Sequence, residues 1–245
     1  MQKILVVGAT SAIAREAARC FAAEGASLFL CGRDAARLEA IAADLRGRGA
    51  ARAEIGILDV RESDRHAGLL DAACAALGGL DAALLAQGVL PDPDAVEADP
   101  AVALDAFAVN TLSVVSLAIR LGRLMARQGH GCIAVIGSVA GDRVRGTNAV
   151  YGATKAAVEG FCSGLRARLR RSGVAVTLIK PGWVETPMTA HLRRNALFAD
   201  PERVGRGIHR AMRRRRAVVY LPGFWRWILL GIKILPECVF TRLRF

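Results

Sequence analysis

The sequence predicts an α/β fold: a single doubly wound parallel sheet with helices on both faces, plus a C-terminal amphipathic helix. Three observations carry this. Short apolar runs rich in Val, Ile and Leu recur along the chain without alternation, as strands buried on both faces do. Longer segments of helical periodicity separate them, the pattern of crossover connections. The composition is 53% hydrophobic but only 5% aromatic, so the core is built from small aliphatic side chains. The 245 residues show no repeat, low-complexity linker or internal boundary, and the expected organisation is one domain over 1–222 with a basic extension over 223–245.

The first strand is Ile4-Leu5-Val6-Val7, followed by the small-residue turn Gly8-Ala9-Thr10-Ser11-Ala12-Ile13-Ala14 and a helix to about residue 25. Strand, tight turn and helix in this order offer free backbone N–H groups to a pyrophosphate. Ala26-Ser27-Leu28-Phe29-Leu30-Cys31 is the second strand, ending at Gly32-Arg33-Asp34. A helix over 34–47, a strand over 53–58, Asp59-Val60 and a helix over 63–78 follow, then strand 82–86 closed by Gln87-Gly88. A long helix over 100–128 precedes strand 132–136, and a helix over 151–172 precedes strand 175–179 and Pro181-Gly182. Strand 217–221 is the last, stopped by Pro222-Gly223.

Charge is distributed unevenly. Residues 1–160 hold 16 Lys/Arg against 18 Asp/Glu and residues 161–245 hold 18 against 4, so the last third carries the whole excess of +12. A basic region of this kind suits an anionic partner such as a membrane surface or a phosphate-bearing substrate. It lacks a nucleic-acid module or a patterned aromatic platform, so no nucleic-acid partner is expected. The run from Phe224 to Leu235 contains Arg226 and Lys233 and is too short to span a bilayer. With Trp225, Trp227 and the basic end Thr241-Arg242-Leu243-Arg244-Phe245, it fits either a helix lying in an interface or one packed against another subunit. The arginines 213–216 would face anionic head groups or cap a helix C-terminus. The six cysteines have neither disulfide nor metal spacing, so no metal is expected and the thiols read as small hydrophobes in a reducing compartment. Met1-Gln2-Lys3 runs directly into the first strand, without the apolar core of a cleavable leader.

The chemistry gathers at Gly137-Ser138-Val139-Ala140 and Tyr151-Gly152-Ala153-Thr154-Lys155. On a helix, Tyr151 and Lys155 share one face. A cation beside the phenol is expected to lower its pKa from about 10 toward neutrality, so that it can exchange a proton at working pH. Ser138, just beyond a buried strand, can point a hydroxyl at a substrate oxygen.

Taken together and in order, these motifs resemble the short-chain dehydrogenase/reductase family over roughly residues 3–222. The glycine turn, Asp59-Val60, Leu85-Ala86-Gln87-Gly88 and Pro181-Gly182-Trp183-Val184-Glu185-Thr186 stand at the family's motif positions. The resemblance implies a Rossmann-type sheet and a catalytic tetrad of Asn110, Ser138, Tyr151 and Lys155. It implies hydride transfer between a nicotinamide cofactor and a carbonyl or alcohol. Tyr151 would protonate the carbonyl oxygen, Lys155 would lower the Tyr pKa and bond the nicotinamide ribose, Ser138 would bond the substrate oxygen, and Asn110 would hold a relay water. Cofactor contacts would come from Gly8, Thr10, Ser11, Ala12, Ile13, Arg33, Asp59, Val60, Ala86, Gly88, Tyr151, Lys155, Pro181, Gly182, Val184 and Thr186. Two of the family's three turn glycines are Ala12 and Ala14 here, and the Asn-Asn-Ala-Gly segment is mostly lost. These departures leave room for a chain that binds nucleotide and turns over poorly, a sensor or scaffold.

Arg33, at the end of the second strand, places a cation where a 2′-phosphate would lie and favours NADP(H). NAD(H) is the alternative if Asp34 curls back to the ribose. Ser138 to Arg143 and the ending from Leu235 to Leu243 resemble the keto-reductases of polyprenylphosphoryl pentose epimerisation. That resemblance implies a lipid-linked keto-sugar substrate, a partner oxidase that supplies the ketone, and a cytoplasmic place at the inner membrane face. A sphingoid, acyl or steroid-like ketone is the competing substrate. Residues 188–212, with His191, Arg193, Arg194, Arg203, Arg206, His209 and Arg210, are expected to cap the substrate pocket. A homodimer or homotetramer through helices 100–128 and 151–172 is also implied.

Overall fold

The computed structural model describes residues 2–190 and 192–242. His191, Leu243, Arg244 and Phe245, to which the sequence assigned lid and tail roles, lie outside the described residues. Seven parallel strands form one sheet: β1 (Lys3–Val7), β2 (Ser27–Gly32), β3 (Arg52–Ile57), β4 (Ala82–Leu85), β5 (Gly131–Ile136), β6 (Val174–Pro181) and β7 (Val218–Leu221). Their spatial order is β3-β2-β1-β4-β5-β6-β7, so the winding direction reverses between β1 and β4. A crevice opens at the strand C-termini at such a point.

The non-alternating strand runs are explained by two cores. Ile4 and Val6 point into one, beneath α1 (Ala12–Ala23) and α2 (Ala35–Gly47). Leu5 and Val7 point into the other, beneath α3 (His66–Leu77). Because both faces are covered, each fully buried Leu, Ile or Val on these strands contributes about 1.5–3 kcal/mol. After β4 come α4 (Pro93–Ala98), α5 (Pro100–Phe107) and α6 (Ser113–Gln128). The expected long helix is therefore interrupted: residues Ala108–Leu112 form a π turn carrying Asn110. By length and composition Pro100–Gln128 could cross a membrane, yet Val114, Leu117, Leu121 and Met125 are fully buried in the second core.

The second half continues with α7 (Ala149–Leu169), α8 (Pro201–Arg213), α9 (Trp225–Ile234) and α10 (Glu237–Phe240). The expectation that 188–212 caps the pocket holds at its start, where Met188 and Thr189 line the cleft and Leu197 a neighbouring cavity, and is corrected for α8. Gly205 lets α8 lie directly against α1, where any Cβ would run into Glu16. His209 sits edge-on to Phe21 with Nε2 3.0 Å from Glu24, so it is a packing residue and not a lid residue. Arg203, Arg206 and Arg210 are exposed on α8, with Arg206 3.4 Å from Glu202. Arg193 is exposed and Arg194 pairs with Glu185 at 3.1 Å. Of the arginines that follow, Arg215 closes the helix end in a left-handed conformation and donates to the Gly173 carbonyl at 3.2 Å. That is the helix-terminus role and not the head-group one. The amphipathic tail segment is half committed to the body: Trp225, Leu229 and Phe240 are buried, whereas Trp227, Leu230 and Ile234 are exposed.

Candidate active site

A cleft of about 400 Å³ opens at the strand C-termini. Its floor is the β1–α1 turn. Gly8 has φ +74°, and a Cβ there would stand 2.6 Å from the Gln87 nitrogen, so only glycine permits this turn against β4. Four helices are capped by an aspartate side chain accepting from the first turn: Asp34 on α2, Asp92 on α4, Asp99 on α5 and Asp200 on α8. At the cleft, α1 breaks this habit. Ser11 stands at its N-cap without a side-chain hydrogen bond, and no acidic residue lies in the first turn. These N–H donors, at the positive end of the helix dipole, fit a pyrophosphate. Ala12 and Ala14 leave that donor set intact.

At the end of β2, Arg33 and Arg37 both line the cleft. Asp34 does not. Its Oδ1 accepts from the Arg37 N–H at 3.0 Å, so the carboxylate is turned to α2, against the reading in which it curls back to a ribose. Asp59 lines the cleft beside Val60 and is held by Arg61 at 3.2 Å and Arg33 at 3.7 Å. Burial opposes its ionisation, but the bonds from Arg61 prevail and keep its carboxyl below the usual range.

The opposite wall comes from β5 and α7. Ser138 follows β5 in extended backbone, and its Oγ accepts from the Ala140 N–H at 3.1 Å. The loop lies tight on α7 at Gly141, where a Cβ would meet the Lys155–Ala156 backbone at 2.9 Å. Tyr151 and Lys155 lie on α7 and face the cleft with Ser138. The expected lowering of the phenol is not found: burial pushes the Tyr151 pKa up, and a hydrogen bond from Ser138 only partly offsets it. The ammonium is 5.7 Å from the ring centroid and donates to the Ile136 carbonyl at 2.9 Å, so it does little for the phenolate. Lys155 itself, only 4% exposed, is pulled down to about 8 by desolvation.

Asn110 stands behind this wall, fully buried. Its amide accepts from Val89 N–H at 2.8 Å and donates to Val89 O at 2.9 Å and Thr154 Oγ1 at 3.2 Å. It buttresses the loop after β4 and does not line the cleft. The remaining predicted contacts, Thr10, Ile13, Ala86, Gly88, Pro181, Gly182, Val184 and Thr186, all line it. Sequence reasoning missed Arg37, Arg61 and Gln87, which line it too. Arg37 carried a signal, four residues after Arg33 at the start of a helix.

A buried ionic cluster adjoins the Ser138 loop. Asp142, with no exposed side chain, lies 3.1 Å from Lys180 and also meets Lys233 of α9. Tyr220 donates to it at 3.1 Å, and Lys180 also meets Glu159. Burial and the Asp142 charge push the Tyr220 phenol up to about 12. Arg143 pairs with Glu237 at 2.6 Å and stacks on Phe240. The C-terminal helices are thus tied to the loop that carries Ser138.

Comparison with known proteins agrees with this fold. The family model for short chain dehydrogenases matches residues 2–197. An uncharacterized oxidoreductase of Mycobacterium tuberculosis is 35% identical over 98% of this chain and 96% of its own length. Another from Streptomyces coelicolor is 33% identical over 99% and 96%. Among solved structures, an actinorhodin polyketide ketoreductase with NADPH shares the fold with TM-score 0.82 at 24% identity, covering 91% of this chain and 97% of that one.

Proposed function

The chain belongs to the short-chain dehydrogenase family and is an NAD(P)-dependent oxidoreductase, and from that premise we propose that it is an NADPH-dependent reductase of a ketone carried on a lipid, with a lipid-linked keto-sugar as the specific substrate. The observation that carries this reading is the convergence of Ser138, Tyr151 and Lys155 on one cleft wall. A reduced nicotinamide held in this cleft would supply hydride to the carbonyl carbon. Ser138 holds the carbonyl oxygen, and the Tyr151 phenol gives it a proton as the C=O π bond is replaced by C–H and O–H bonds. The phenolate left behind is reprotonated from solvent. Burial raises the Tyr151 pKa, so the phenol holds the proton that it would give. Lys155 would bond the ribose, and Asn110 would hold the loop after β4 through Val89.

The preference for NADPH rests on Arg33 and Arg37 facing the cleft while Asp34 caps α2. The assignment of residues 223–245 to a peripheral membrane contact rests on Trp227, Leu230 and Ile234, an exposed apolar face beside Arg226 and Lys233. A second reading, a reductase of a neutral hydrophobic ketone, is favoured by the position of α8. The helix packs on α1 through Gly205, and its exposed arginines do not line the cleft.

The test is NADPH oxidation with an enzymatically oxidised polyprenylphosphoryl pentose, with Tyr151→Phe as control. A pentose epimer as product, with turnover reduced at least ~100-fold in the variant while NADPH still binds, supports the lipid-linked sugar. Turnover on neutral lipid ketones alone selects the second reading. NADPH binding without turnover on either rejects the reductase.

A further inference from the structure

A second, apolar cavity of about 220 Å³ lies next to the cleft. Val139 and Ala140 of the Ser138 loop, Trp183 of the loop after β6, and Ile228, Ile232 and Phe240 of the C-terminal helices wall it. The two spaces share their partition. Ser138 lines the cleft and Val139 the cavity, and likewise Gly182 lines the cleft and Trp183 the cavity. At this seam stands Trp225, only 5% exposed. Its indole lies so close over Gly182 that no Cβ fits there, and it packs edge-on to Trp183 at 5.6 Å. Its Nε1–H is buried without a hydrogen-bond partner. A buried unsatisfied donor costs stability unless something binds it.

We infer that this cavity is the subsite for the apolar chain of the ketone, and that the Trp225 N–H binds the acceptor atom, an ester, thioester or phosphoester oxygen, that joins chain to ketone. The inference rests on the reductase reading for the ketone and adds where the chain goes. Four features carry it. The cavity is lined almost wholly by aliphatic and aromatic side chains, Arg143 and Arg145 being its charged lining residues. It lies on the far side of the segments that wall the cleft, its lining beginning one residue after Ser138 and one after Gly182. The buried indole nitrogen without a partner stands against Gly182, beside the point where the two linings meet. The roof, α9, is fixed to the floor by the Lys233–Asp142 pair, so the cavity is a built feature of the fold and not a gap between loose elements.

The experiment uses the full chain with alkan-2-ones of rising length, and alkyl 3-oxobutanoates of rising alkyl length, whose ester joins the chain to the ketone, as probes. Turnover is followed by NADPH oxidation and binding independently by calorimetry. Affinity and kcat/KM should rise about fourfold per added methylene until the cavity is filled. In Ile232→Trp, which fills the space, the ratio of long-chain to short-chain kcat/KM should fall at least about tenfold. The esters should bind better than the simple ketones by about two- to tenfold, and Trp225→Phe, which keeps the ring and loses the donor, should erase that difference. NADPH affinity in each variant reports an intact fold. A flat length series in binding overturns the subsite, as does an Ile232→Trp series as steep as the wild-type one. An ester preference that survives Trp225→Phe overturns the role of the indole. Turnover with a flat length series leaves the reductase reading standing. Length-dependent binding without turnover keeps the subsite and rejects that reading.

Discussion

Lys155 should be more useful to the enzyme than to its fold, and Lys155→Met separates the two. In the folded chain the amine is 4% exposed and held at about 8, against an ordinary 10.5. Each pH unit between the two values corresponds to about 1.4 kcal/mol, so a charged Lys155 costs about 3 kcal/mol at pH 7. The methionine removes that cost and packs in similar volume. It also leaves the Ile136 carbonyl without its 2.9 Å donor, a loss of about 1 kcal/mol. The net expectation is a variant about 2 kcal/mol more stable at neutral pH, with Tm raised by about 4–8 °C for a chain of this size. The sign with pH follows from proton binding. Between about 8 and 10.5 the unfolded lysine keeps its proton while the folded one has lost it. Wild-type stability therefore rises through that window, and the advantage of the variant closes by its upper end. Urea unfolding across pH 7 to 10.5, alongside NADPH oxidation at pH 7, is the assay. A methionine variant less stable than wild type at pH 7, or a difference that ignores pH, refutes the burial argument.

Other substitutions probe the remaining parts. Arg33→Asp should lower the ratio of kcat/KM with NADPH to that with NADH by at least ~10-fold, because the new carboxylate repels a 2′-phosphate and can bond a ribose hydroxyl. Gly8→Ala, forced to φ +74° with its methyl 2.6 Å from the Gln87 nitrogen, should cost at least ~2 kcal/mol by urea unfolding and lower NADPH affinity together. Lys233→Met removes one cation from Asp142 but leaves Lys180. It should speed proteolytic nicking within residues 223–242 while the remainder of the chain stays resistant.

The strands and the site could be read early because their signals are local. A β-branched run, a glycine turn or a Tyr and Lys four apart declares itself within a few residues. What stayed hidden depends on partners distant in the chain. Nothing near Asp142 announces Lys180, Tyr220 and Lys233, which arrive from three other elements. The basic run 203–210 looked like a lid because charge was visible, but the contact that placed it was made by Gly205 and by Glu16 of a helix near the other end. The π turn at Asn110 carries no composition cue, since Ala108–Leu112 reads as ordinary helix. The phenol was misjudged for a different reason. Spacing on a helix gave the neighbour, but only the coordinates gave the balance between burial and charge.

The tie between α9 and the Ser138 loop has a consequence for how the protein is made. The nucleotide side of the cleft, with Lys155 and the loop through Thr186, comes from segments that end by residue 186, whereas the substrate side is finished only when Lys233 reaches Asp142 and Glu237 reaches Arg143. During vectorial synthesis the chain acquires its nucleotide-binding face well before it can discriminate among ketones. A message cut short after the last strand would yield a chain that holds the dinucleotide beside an unroofed reaction centre.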